Sequence, residues 1–152
     1  MERTDRAISP GVPHAEAGEI WPRDGYIGVH GHCVGAEREP CTVVVRARAP
    51  QEAELRFPAE VGDGGFAVRI PLGELAAACT GAEQTWDLYV SVPGRAAELR
   101  LGRHLDDIVG KKKIFTYPAQ CAAGWWIEPF YTVKDNVSIG CRRADHEGQD
   151  GR

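Results

Sequence analysis

Trp86-Asp87-Leu88-Tyr89-Val90-Ser91-Val92-Pro93-Gly94-Arg95-Ala96-Ala97-Glu98-Leu99-Arg100-Leu101 is the stretch whose reading decides the fold. Trp86, Leu88, Val90 and Val92 alternate with Asp87, Tyr89 and Ser91, and Ala97, Leu99 and Leu101 alternate with Glu98 and Arg100. A period of two sends successive side chains to opposite faces, as a half-buried antiparallel strand requires. Pro93-Gly94-Arg95 lies between the runs and supplies the backbone angles of a tight turn, so the two runs form a hairpin.

The same period extends outward. Val43, Val45 and Ala47 alternate with Val44, Arg46 and Arg48; Ala53, Leu55 and Phe57 with Glu54 and Arg56. Phe66, Val68 and Ile70 alternate with Ala67 and Arg69, and Val137, Ile139 and Cys141 with Ser138, Gly140 and Arg142. Pro50, Pro58, Pro71 and Asp63-Gly64-Gly65 punctuate these runs. With further strands expected over 26–33, 114–117 and 125–133, the total is eight or nine. Leu72, Leu75, Ala76 and Cys79 break the pattern with helical spacing, so a short crossover helix is expected between Pro71 and Gly81.

These elements read as an all-β, antiparallel β-sandwich; a partly open barrel uses the same strands. Residues 1–18, polar and interrupted by Pro10 and Pro13, read as a flexible N-terminal arm. Residues 19–143 read as a single domain, and 144–152, with no apolar side chain larger than Ala, as a disordered tail.

The 152-residue chain is 43% hydrophobic and 26% charged, the balance of an ordinary globular domain. Its formal charge of −4 argues against a general binder of nucleic acid or anionic membrane, since such binding rests on phosphate neutralisation. No apolar run reaches the roughly 18–20 residues of a membrane span, and no export signal follows the mixed charges of 1–6. A cytoplasmic location is therefore expected, with Cys33, Cys41, Cys79, Cys121 and Cys141 as reduced, small, buried hydrophobes. No phosphate loop, dinucleotide fingerprint or nucleophile elbow is present, so no cofactor is expected and the reading leans away from an enzyme.

Three clusters could carry chemistry. His30 and His32, at i and i+2 on a strand, share a face as a weak metal pair would, but nothing else in the chain announces further ligands. Trp125-Trp126-Ile127-Glu128-Pro129-Phe130-Tyr131 places adjacent indoles on opposite faces of a strand. One indole fills the core; the other, with Tyr131 and Asn136, offers a flat platform for a sugar ring. His104, Asp106 and Asp107, followed by Lys111-Lys112-Lys113, read as solvated charge.

A resemblance rests on Phe66-Ala67-Val68-Arg69-Ile70-Pro71-Leu72, Thr85-Trp86-Asp87-Leu88-Tyr89-Val90, Arg100-Leu101-Gly102 and the run from Pro129 to Ile139, taken in that order. Over about 40–142 the chain resembles the immunoglobulin-like accessory domains appended to bacterial teichoic-acid-type glycosyltransferases and glycerophosphotransferases. That resemblance implies a non-catalytic immunoglobulin-like sandwich that binds glycopolymer or holds subunits together. No glycosyltransferase domain is expected within these 152 residues.

The functional expectation is a binding or accessory module that recognises a carbohydrate or other small molecule, or docks on a partner enzyme. Trp125, Trp126, Tyr131 and Asn136 are its expected contacts. The first alternative is a small tailoring or cyclising enzyme of bacterial secondary metabolism with a cavity between the sheets, using Tyr131, His30, His32 and Asp87. The second is a structural subunit that forms a homo-oligomer through a strand edge.

Overall fold

The computed structural model describes residues 14–34, 39–48, 53–62, 65–94, 98–103, 117–132, 134 and 136–144. In chain order its elements are β1 (His14–Arg23), β2 (Tyr26–Val34), β3 (Thr42–Ala47), β4 (Glu54–Pro58), β5 (Glu60–Gly62) and β6 (Gly65–Pro71), then α1 (Leu72–Ala78). After the helix come β7 (Glu83–Ser91), β8 (Leu99–Arg103), β9 (Gln120–Ala122), β10 (Trp125–Tyr131) and β11 (Val137–Arg143).

The strands form two layers. One has the order β1-β2-β6-β5; the other has the order β9-β10-β11-β7-β3-β4, with β7 at its centre. Strand β8 joins the layers: Leu99 and Arg100 pair with Val90 and Tyr89 of β7, and residues 101–103 then run parallel to residues 15–17 of β1. Strands that pass from one layer to the other make the corners of packed sheets. The expected hairpin is present in the antiparallel β7–β8 pair, and Gly94 takes φ 87° in its turn.

Alternation sets the core. Trp86, Leu88 and Val90 of β7 face Ile27 and Val29 of β2 and Phe66, Val68 and Ile70 of β6 in one buried cluster. Leu72, Leu75 and Ala76 of α1 join that cluster as the helix carries the chain from β6 to β7. The helix thus makes the expected crossover between layers. A bulge between Ala17 and Glu19 keeps Ala15, Ala17 and Ile20 all on the inner side of β1. Gly31 is needed where β1, β2 and β6 crowd: a β-carbon there would collide with the Glu16 carbonyl oxygen and stand 3.0 Å from Phe66 Cζ.

The all-β, sandwich-like architecture agrees with the sequence reading, with four differences. There are eleven described strands instead of eight or nine, because β1 and the three-residue β5 and β9 are too short or too irregular to show a period. The β1–β8 pair is parallel in a fold expected to be antiparallel throughout. Residues 14–18, expected within a flexible arm, belong to β1, where Ala15, Glu16 and Ala17 are buried; residues 1–13 lie outside the described residues. The strand expected over 114–117 is not seen at Tyr117, which lies in no strand, while 114–116 fall outside the described residues; pairing with β10 comes from Gln120–Ala122. Among the described residues no helix is long and apolar enough to cross a membrane.

Candidate functional site

The aromatic strand β10 follows strict parity. Trp125, Ile127, Pro129 and Tyr131 point inward and are buried, whereas Trp126, Glu128 and Phe130 point outward and are half-buried. Trp125 is 3% exposed, with the Arg143 guanidinium 4.7 Å from its ring centre, and Tyr131 is 2% exposed beside Tyr117. Trp126 and Tyr131 therefore lie on opposite faces, and the expected platform of an outward indole with Tyr131 does not assemble. Asn136 closes the turn after β10: its N–H donates to Thr132 Oγ1, and its carbonyl accepts from the Thr132 N–H.

Asp87 lies on the outer face of the β7 layer, within an ion-pair network. Its carboxylate accepts from Arg48, from Arg100 at 3.0 Å and from the Ser138 hydroxyl at 2.6 Å. Burial pushes the Asp87 carboxyl up, but the Arg48 and Ser138 hydrogen bonds and the Arg100 charge outweigh it and hold the group below the ordinary aspartate value. Arg100 also donates to the carbonyls of Leu88, Leu101 and Val137, pinning β8 to β7 and β11. Beside it, Arg46 and Arg56 share Glu54 and Glu98, and the Arg46 and Arg100 guanidinia stand over the Tyr89 ring. Each of these side chains has a partner of opposite charge, four guanidinia sharing three carboxylates, which suits a structural seam.

His30 and His32 share the outer face of β2 as expected, with ring centres 5.7 Å apart. Glu19 and Glu16 of β1 are their register partners, yet no group of three or more metal-ligating side chains converges among the described residues. The four residues suggested for catalysis are thus separated: His30 and His32 outside one layer, Asp87 outside the other, and Tyr131 in the core. His104, Asp106, Asp107, Lys111, Lys112 and Lys113 lie outside the described residues.

The indole left exposed is Trp21, on the outer face of β1 at 45% exposure; no other large apolar side chain is exposed among the described residues. Register builds a concave site around it. Trp21 pairs with Gly28 of β2, and Gly28 pairs with Arg69 of β6, so a position without a side chain separates an indole from a guanidinium. The indole rests on that gap, its Cε3 3.3 Å from where a Gly28 β-carbon would stand. Glycine inside a strand often marks such a close approach. In the next row, Ala67 pairs with Glu60 of β5; in the row on the other side, Arg23 pairs with Tyr26.

The result is a groove of about 590 Å³, floored by Gly28 and Ala67 and walled by Trp21, Arg23, Tyr26, Pro58, Glu60 and Arg69. Its size is that of a small-molecule site. Arg69 stacks 4.8 Å from the Tyr26 ring centre and has no carboxylate partner among the described residues. Among the described residues Arg23 reaches only Asp24, at 3.8 Å, with both side chains about three-quarters exposed, so that pair is weak. The groove therefore offers one aromatic face, two under-compensated guanidinia and one carboxylate. Sequence reasoning missed it because Gly18, Glu19 and Pro22 hide the period of β1. A detectable signal was present: Gly28 within an otherwise regular strand, a turn away from an indole in the run Glu19-Ile20-Trp21-Pro22-Arg23-Asp24, whose ends are charged.

No family model matches the chain, and no curated protein matches it. Solved structures do. The fold is similar to part of Staphylococcus aureus TarS, with a TM-score of 0.61 and 14% identity over 86% of this chain. It is equally similar to S. aureus TarS 217–571, again with a TM-score of 0.61 and 14% identity, over 87% of this chain. The chain spans 25% of the first of those structures and 39% of the second. At that identity the likeness establishes a shared fold.

Proposed function

We propose that this chain is a non-catalytic binding module, accessory to a glycosyltransferase, that holds a sugar ring bearing an anionic group in the groove beside Trp21. The observation that carries this reading is the exposed indole on Gly28, flanked by Arg23 and Arg69. The apolar face of a pyranose stacks on an indole, while a guanidinium supplies paired donors for a carboxylate or phosphate. Glu60 on the opposite wall suits hydroxyl donors of the same ring. The accessory role is supported by the fold likeness to part of TarS and by the motif order that resembles appended domains of wall-polymer transferases.

Calorimetric titration with matched neutral and carboxylated or phosphorylated oligosaccharides tests the reading. Binding should favour the charged member, weaken with added salt, and lose that preference in Arg69→Ala. Equal affinity for neutral and charged sugars, or binding unchanged in both Arg69→Ala and Arg23→Ala, refutes the anionic part of the proposal. No binding of either class refutes the whole.

A further inference from the structure

We propose that β4 is a self-complementary edge through which two copies of this chain pair antiparallel, about a two-fold axis at Leu55. The pairing does not depend on a ligand in the groove beside Trp21. Strand β4 ends its layer, and among the described residues it pairs only with β3. It runs five residues, against three each for β5 and β9 at other layer ends. An open edge of that length can template a further strand.

Hydrogen-bond parity fixes which backbone groups the edge presents. The Ala47 N–H donates to the Ala53 carbonyl at 2.9 Å, and the Ala59 N–H donates to the Cys41 carbonyl at 3.0 Å. Every second residue of an antiparallel strand bonds the same neighbour, so Ala53, Leu55, Phe57 and Ala59 turn their backbone groups toward β3. Glu54, Arg56 and Pro58 turn theirs outward, where no hydrogen bond among the described residues takes them up. The place of Pro58 agrees, because a residue without an N–H is tolerated where that group would face away from the ladder.

Charge then selects one register. A second β4 laid antiparallel must set outward groups against outward groups. With the axis at Leu55, Glu54 stands opposite the second copy's Arg56, and Arg56 opposite the second copy's Glu54, each pair exchanging both of its N–H···O=C bonds. Moving the axis to Glu54 or to Arg56 sets like charges directly opposite, which is destabilising. The axis at Arg56 also meets Glu54 with Pro58, where a donor is missing. An axis perpendicular to the sheet keeps each face on its own side. The exposed Glu54 and Arg56 therefore stay on the outer face, while Leu55 meets its own copy and Ala53 meets Phe57 on the inner one. Ala53 and Leu55 are half-buried against the core and retain surface to bury. Within one strand Arg56 already holds Glu54 at 2.7 Å, but those side chains are 51% and 31% exposed, so the guanidinium can turn across the edge at little cost.

Sedimentation velocity of the full chain over a concentration series reads the assembly, and hydrogen exchange reads the edge. The mass should rise from that of one chain to that of two and stop there, since a two-fold contact is closed. The Glu54 and Arg56 amides should exchange more slowly in the concentrated sample than in the dilute one. Those of Leu55 and Phe57, already bonded to β3, should not change. Arg56→Glu and Glu54→Arg should each abolish the dimer, and an equimolar mixture of the two variants should restore it, because every facing pair is then of opposite charge. The mass of one chain at all concentrations up to about 1 mM overturns the proposal. So does a dimer whose Glu54 and Arg56 amides exchange as fast as in the monomer, or a mixture of folded variants that stays monomeric. Should either variant fail to fold, exchange at the wild-type edge decides alone.

Discussion

Truncation to alanine should have opposite effects at Trp21 and at Trp125. An indole side chain offers up to about 250 Å². At 45% exposure, Trp21 leaves on the order of 110 Å² of that in water. A sugar face that covered all of it would gain about 2.7 kcal/mol at roughly 25 cal/mol per Å². Partial cover brings the expected loss in Trp21→Ala to between about tenfold and a hundredfold in Kd. The stability cost should be small, near 1 kcal/mol, because the rest of the ring lies on the Gly28 backbone and not in the core. Trp125 is 3% exposed, and its truncation leaves a core cavity costing about 3–5 kcal/mol. Urea denaturation followed by circular dichroism measures both stabilities, and calorimetry on the folded variants measures affinity for the charged oligosaccharide. Full affinity in a folded Trp21→Ala refutes the platform. A Trp21→Ala variant as unstable as Trp125→Ala shows that the indole is structural.

Further tests address the frame. Arg100→Ala removes the donor to three backbone carbonyls and to Asp87, and should cost about 2–4 kcal/mol in urea titration; a loss under about 0.5 kcal/mol contradicts its role as a seam. Asp87 has a folded pKa below its unfolded one, so its contribution is fully present above about pH 4 and is lost as pH falls through the lower folded value. Asp87→Asn should accordingly flatten the acid limb of the stability profile below about pH 4, and an unchanged limb refutes the assignment. Gly31→Ala should force β1 away from β2 and cost about 1–3 kcal/mol in thermal unfolding, whereas a neutral result would mean that the strands part without strain.

Much of the frame was legible because burial on one face imposes alternation. The β7–β8 hairpin, the parity of β10 and β11 and the spacing of α1 all follow from where apolar side chains must go. The adjacent indoles do part to opposite faces, and Trp125 is the one claimed by the core. Parity also shows why the expected platform fails: Tyr131 shares the face of Trp125, six positions away. Trp21 was not legible, because a bulge and Pro22 break the period around it, and its exposure depends on an absent side chain in the neighbouring strand. The groove comes from register between β1, β2 and β6, and one strand read alone carries no register.

The strand that passes between the layers bears on how the chain reaches its native state. Residues 15–17 find their parallel partners only at residues 101–103, so the first described strand has no neighbour on that side until the β7–β8 hairpin exists. Contacts so distant along the chain incur a large loop-closure cost before they stabilise anything, which slows the search. A nascent chain still on the ribosome would have β2 available to β1 long before β8 emerges, leaving one edge of β1 open to mispairing with other chains. Conditions that delay synthesis between residues 34 and 99 should therefore favour aggregation over a soluble product.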